Sequence, residues 1–138
     1  MSISNTRKVL TQYYDSEHQD LSMMADDVAF TLMPSGDTRR GVEAVRQMLS
    51  NIYEVAFDAR AEARNLIFAD KHAVWEGHFV GKHTGEFTGI PATGREVCVP
   101  MCVVYDLEDS KVNKARIYLE MTVMLEQLGV QEKIRQDC

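Results

Sequence analysis

The spacing of apolar residues changes near Ala56, and that change limits the fold more than any other feature of this chain. From about Val42 to Ala56, the residues Val42, Val45, Met48, Leu49, Ile52, Tyr53 and Ala56 recur every three or four positions. That is the stripe of a helix with one buried side. Glu43, Arg46, Gln47 and Ser50 fall on the opposite side. Beyond the helix the period drops to two, the mark of strands. Ala59, Ala61 and Ala63 alternate with Arg60, Glu62 and Arg64, and Leu66-Ile67-Phe68 runs up to a turn at Asp70-Lys71. From Ala73 to Lys82, Trp75, Gly77 and Phe79 oppose Val74, Glu76, His78 and Val80. Arg95 to Asp106 puts Val97, Val99, Met101, Val103 and Tyr105 on one face. After a turn from Leu107 to Lys111, a last strand is expected from Val112 to Thr122, then a short tail.

Helical segments come first. Ser4 is placed to cap a helix carrying Val9, Leu10, Tyr13 and Tyr14, with Ile3 as a staple. A second short helix is expected from Glu17 to Ala25, turning Leu21, Met24 and Ala25 to one side. Val28 to Met33 reads as a first strand, ended by the turn Pro34-Ser35-Gly36-Asp37. Thr84 to Gly94, with Gly85, Gly89, Pro91 and Gly94, reads as a loop between strands. Helices followed by consecutive strands on short turns give an α+β fold with a mainly antiparallel sheet. A sheet much longer than its helices curls, and the space inside the curl is a natural pocket.

At 138 residues the chain fits one domain with a real core. A net charge of −6 argues against nucleic acid, which is bound through Lys and Arg. No segment reaches the roughly 18 consecutive apolar residues of a membrane helix, and the first residues lack an apolar signal core. Neither a membrane nor a secretory route is expected. The 3 cysteines are Cys98, Cys102 and Cys138. Cys98 and Cys102 share a strand face at roughly 13 Å, too far to bridge. This usage suits a reducing, cytoplasmic compartment. The two inner cysteines are expected as small apolar packers and Cys138 as a loose end.

The last strand is the richest in chemistry. Arg116, Tyr118 and Glu120 alternate with Ala115, Ile117 and Leu119, so one face carries a guanidinium, a phenol and a carboxylate in line. If that face lines the pocket, Glu120 is a candidate general base and Arg116 or Tyr118 a partner for a developing oxyanion. If it faces water, the same residues are a solvated sheet surface. His78, His83 and Glu86 invite a metal reading, but the two rings fall on opposite strand faces, so no metal is expected. His78, beside Glu76 and Trp75, reads as pocket wall or core. One of Tyr13 and Tyr14 packs in the core while the other reaches the pocket, and Asp15, Glu17, His18 and Asp20 read as a solvated helix surface. Among the 8 methionines, Met101 is a candidate for the pocket wall. No phosphate loop or serine elbow is present, so no cofactor is expected.

The run from Gly77 to Val97, with Gly85-Glu86-Phe87-Thr88-Gly89-Ile90-Pro91-Ala92-Thr93-Gly94-Arg95, resembles the central segment of SnoaL-like proteins. The stretch from Tyr118 to Gly129 resembles the family's aromatic-x-Asp ending before L-L-x-Q-L-G, and Pro34, Gly41 and the helix from Val42 resemble its start. The resemblance implies the cone-shaped nuclear transport factor 2-like fold, usually a homodimer through the sheet, with an apolar pocket. It also implies cofactor-free chemistry on a carbonyl compound, as in polyketide cyclases, whose base is an aspartate on the final strand. Here that position is Glu120, one methylene longer. The resulting expectation is a small apolar ligand, with Glu120 and Arg116 as catalytic candidates and Tyr118, Tyr14, Trp75, His78 and Met101 as ligand contacts. The alternative is a module that binds or dimerises without catalysis.

Overall fold

The computed structural model describes residues 2–130, and Cys138 lies outside them. Helix α1 spans Ile3–Asp15, with Thr6, Val9, Leu10 and Tyr13 as its buried stripe. Its cap is Ser2 rather than Ser4, since the Ser2 hydroxyl accepts the Asn5 N–H at 3.1 Å from an extended backbone. Ile3 is therefore the first helical residue and half exposed, not a staple. The Thr6 hydroxyl lies 2.8 Å from the Asp70 carbonyl, tying α1 to a turn of the sheet.

The second helix expected from Glu17 to Ala25 is absent. Glu17 and His18 both take positive φ, 54° and 66°, which stops α1 and turns the chain back. The Ser16 hydroxyl, 2.7 Å from the Tyr13 carbonyl and 2.9 Å from the Asp20 N–H, holds that turn. Strand β1 (Met24–Leu32) begins earlier than expected. It turns into a short exposed strand, β2 (Asp37–Arg40). Helix α2 (Val42–Ser50) buries Val45, Met48 and Leu49, then widens into a π-turn over Asn51–Val55.

Four long strands follow: β3 (Phe57–Phe68), β4 (His72–His83), β5 (Glu96–Glu108) and β6 (Lys111–Leu119). The sheet order is β2-β1-β6-β5-β4-β3, antiparallel throughout except where β1 lies parallel to β6. The expected last strand ends at Leu119; Glu120 is the N-cap of a third helix, α3 (Met121–Gln127). The Gln127 side-chain amide bonds both the N–H and the C=O of Cys98, at 2.7 and 2.9 Å. It closes a stretch of β5 that β6 does not reach.

Alternation decides the two faces. Trp75 and Phe79 of β4, Val99, Met101, Val103 and Tyr105 of β5, and Ala115, Ile117 and Leu119 of β6 are all buried. They face α1 and α2 across the core. The curl comes from glycine: at Gly77 and Gly81 the main chain of β3 presses so close that no Cβ fits. This is an α+β fold with an open, curved, mainly antiparallel sheet and helices on its concave side. No helix among the described residues is long and apolar enough to cross a membrane.

His83 belongs to this framework. It is fully buried, and its Nδ1 accepts the Thr93 N–H at 3.1 Å, pinning the 84–94 loop. His78 lies on the other face of β4, so the two rings cannot share an ion. Cys98 is exposed and Cys102 partly so, because both sit on the outer face of β5, not in the core.

Candidate functional site

The concave side encloses a small cavity. Its wall is apolar on the sheet side, with Phe30 and Leu32 from β1, Phe79 from β4, Met101, Val103 and Tyr105 from β5, and Ile117 and Leu119 from β6. The helical side supplies Tyr13 and Tyr14 from the end of α1, Leu49 from α2, Ile52 and Tyr53 from the π-turn, and His18 from the positive-φ turn. Free space amounts to about 20 Å³, room for one water.

Those rings form one connected group. His18 stacks on Tyr53 at 4.4 Å and 16°, and meets Tyr13 and Tyr14 edge-on at 5.1 and 5.3 Å. Tyr14 in turn stacks on Trp75 at 5.8 Å. The Tyr14 and Tyr105 hydroxyls hydrogen-bond each other. Burial pushes the phenols of Tyr13, Tyr14, Tyr53 and Tyr105 above their ordinary range, so all stay protonated. Burial also lowers His18 to about 4, partly opposed by a hydrogen bond to the Glu17 backbone. A neutral imidazole offers one donor and one acceptor nitrogen. The cavity thus contains polar atoms but no fixed charge.

The other face carries a wide groove of about 740 Å³, lined by Arg64, Glu76, His78, Pro100, Cys102, Tyr118 and Glu120 among others. Here the expected polar line of β6 is found. Ala115, Ile117 and Leu119 take the concave side, so Arg116 and Tyr118 point outward, away from the cavity. Arg116 is bound in a two-bonded fork to Asp106, at 2.8 and 3.0 Å, and His72 joins Asp106 at 3.0 Å. Hydrogen bonds from that guanidinium hold the Asp106 carboxyl below its usual range. Glu120 is exposed at the start of α3, outside the strand. Of the two readings left open for the line of Arg116, Tyr118 and Glu120, pocket wall or solvated surface, the structure takes the outer face: apolar alternation sent the enclosed cavity to the opposite side of the strand.

Of the five expected ligand contacts, Tyr14 and Met101 line the cavity, and Trp75 is buried on the same side behind Tyr14. His78 and Tyr118 line the outer groove. Sequence reasoning missed His18, Tyr53 and Tyr105 as cavity residues. His18 sits among acidic neighbours in the sequence, and only the turn after α1 carries it inward. Tyr105 did carry a signal, since a phenol on an inward strand position needs a hydroxyl partner.

The family model for SnoaL-like polyketide cyclases matches residues 8–128. Among solved structures, one described as a SnoaL-like polyketide cyclase from Jannaschia sp. CCS1 superposes with a TM-score of 0.82 at 17% identity, covering 94% of both chains. TsrD from Streptomyces laurentii gives 0.79 at 19%, covering 95% of this chain and 99% of its own. An NTF2-like protein from Burkholderia xenovorans LB400 gives 0.76 at 16%, covering 93% and 98%. At such identities the likeness is one of fold. No curated protein matches the chain.

Proposed function

Because the chain belongs to the SnoaL-like polyketide cyclase family, we propose that it binds a small, mainly apolar molecule in the aromatic cavity under α1 and α2. The observation that carries this is the lining: aliphatic and aromatic walls enclosing a neutral imidazole and phenol hydroxyls, with no charged side chain among them. A ligand there gains from desolvation and from a few oriented hydrogen bonds, whereas a charged one would lose its hydration without a counter-charge. The competing reading is a cyclase or isomerase with Glu120 as base. It needs a carboxylate at the reacting carbon, and Glu120 stands in the open groove across the sheet. Binding is therefore the better supported reading, in a reducing, cytoplasmic setting where Cys98 and Cys102 stay as thiols.

The chain contains 1 tryptophan, and it stacks behind the cavity, so it reports occupancy. Compounds extracted with the protein from its producing cells are expected to change Trp75 emission on rebinding. Loss of that response in Tyr14→Ala, with Glu120→Gln unchanged, supports the cavity. Rebinding that leaves Trp75 silent and fails in Glu120→Gln moves the site to the groove.

We further propose that two copies pair across the outer face, where Tyr118 and Met33 are 44% and 37% exposed. Sedimentation at the mass of two chains is expected, reduced to one by Tyr118→Glu; a monomer at every concentration rejects pairing.

A further inference from the structure

A cavity with room for one water cannot hold an organic ligand as it stands, so some side chain must leave first. Three of the four cavity phenols are fixed. Tyr13 and Tyr105 are 1% and 2% exposed, and Tyr14 is held between the Tyr105 hydroxyl and the Trp75 face. Tyr53 is different. It rides on the π-turn Asn51–Val55, none of whose five residues is buried, whereas α2 just before it anchors Val45, Met48 and Leu49. Among the described residues its hydroxyl has no hydrogen-bond partner, so moving its side chain costs packing alone, including the stack on His18 and a tilted contact with Phe79 at 5.5 Å. A π-turn inserts an extra residue into a helix, a local distortion found often where helices serve function. On the opposite side of the stack, Glu17 and His18 hold a pair of positive-φ conformations that favour glycine.

We propose that the Tyr53 ring is a built-in occupant of the ligand site, and that a ligand enters by taking its place against His18. The inference rests on the cavity being the ligand site. It adds a specificity rule: the vacated space is a slot for one flat, uncharged ring, faced by the His18 imidazole on one side and edged by Phe79. The Tyr53 side chain swings outward into water as the ligand seats, while the Thr84 hydroxyl, 3.1 Å from the Val55 carbonyl, holds the π-turn backbone in place. A ring tethered beside its own slot competes at high local concentration, so the resting protein binds such a ligand weakly.

The probe is 4-methylphenol, the tyrosine side chain in free form. Tyr53→Ala is expected to bind it about tenfold or more tighter than the unaltered protein, read by Trp75 emission, while Tyr53→Phe keeps nearly the original affinity. A pre-existing hole alone would produce the alanine result, so a second readout is needed. With 3-fluorotyrosine incorporated, the Tyr53 ¹⁹F resonance, identified by its loss in Tyr53→Phe, is expected to move to a solvent-exposed shift when 4-methylphenol saturates the protein. A Trp75 response with an unmoved Tyr53 resonance overturns the displacement and leaves the cavity as a binding site. No Trp75 response in either the unaltered protein or Tyr53→Ala overturns both.

Discussion

Gly77→Ala is expected to destabilise the protein by about 3 kcal/mol, at the upper end of what overpacking a core costs. A Cβ at this position would lie 2.0 Å from the Glu62 carbonyl oxygen and 3.0 Å from the Ala63 Cα, both main-chain atoms of β3. Main chain cannot rotate aside as a side chain can, so β3 would have to shift. The same obstruction recurs at Gly81, where a Cβ would meet the Asp58 carbonyl at 2.4 Å and the Ala59 Cα at 2.5 Å. The two glycines lie on the concave face of β4 and allow β3 to fold over it, so the substitution should flatten the curl as well as lower stability. Denaturant unfolding measures the first effect and Trp75 emission the second. An alanine variant melting within about 2 °C of the original would show that β3 yields easily.

Acid is expected to weaken the fold through His18. The ring has a pKa of about 4 in the folded chain against an ordinary 6.5. Between those values the unfolded chain binds more protons than the folded one, so stability falls as pH drops. The contribution is fully present above about 6.5, is lost progressively toward 4, and changes little below it. Allowing for partial exposure, the loss is on the order of 2 kcal/mol. His18→Phe keeps a flat ring against Tyr53 and removes the proton site. Its melting temperature should change much less between pH 7 and pH 4.5 than that of the unaltered protein. Asp106, whose carboxyl titrates below its ordinary 3.8, weakens the fold only at lower pH and leaves this window clear. Equal slopes for the two proteins would assign the acid sensitivity elsewhere.

Much of this architecture could be read from residue spacing. The inward faces of β4 and β5 follow from alternation, because Trp75, Phe79, Val99, Met101 and Val103 have no polar competitors at their positions. Helix α2 follows from its stripe. Strand β2 could not be read: Asp37-Thr38-Arg39-Arg40 is fully polar, and becomes a strand only by pairing with β1. The expected second helix failed because apolar spacing at Leu21, Met24 and Ala25 is local, whereas the turn at Glu17 and His18 is fixed by Ser16 and Asp20. For β6, alternation gives two faces but does not say which one the helices cover. That ambiguity left the side taken by Arg116 and Tyr118 open until the packing was known. The cavity itself was the least legible part, since His18, Tyr53 and Tyr105 come from three distant segments and meet only after packing.

The placement of β1 beside β6 constrains how the chain can reach this structure during synthesis. Phe30 is made early but pairs in register with Ala115, and Leu32 with Ile117. Until β6 is made, β1 has only the four polar residues of β2 as a strand neighbour, and its other edge stays open. The hairpins β3–β4 and β4–β5 can zip locally as they emerge, but the sheet cannot be completed from its N-terminal side. Its closing step is the non-local one, which carries the largest loop-closure entropy. The first strand therefore waits for β6, and the pairing of the two commits the domain to its native state.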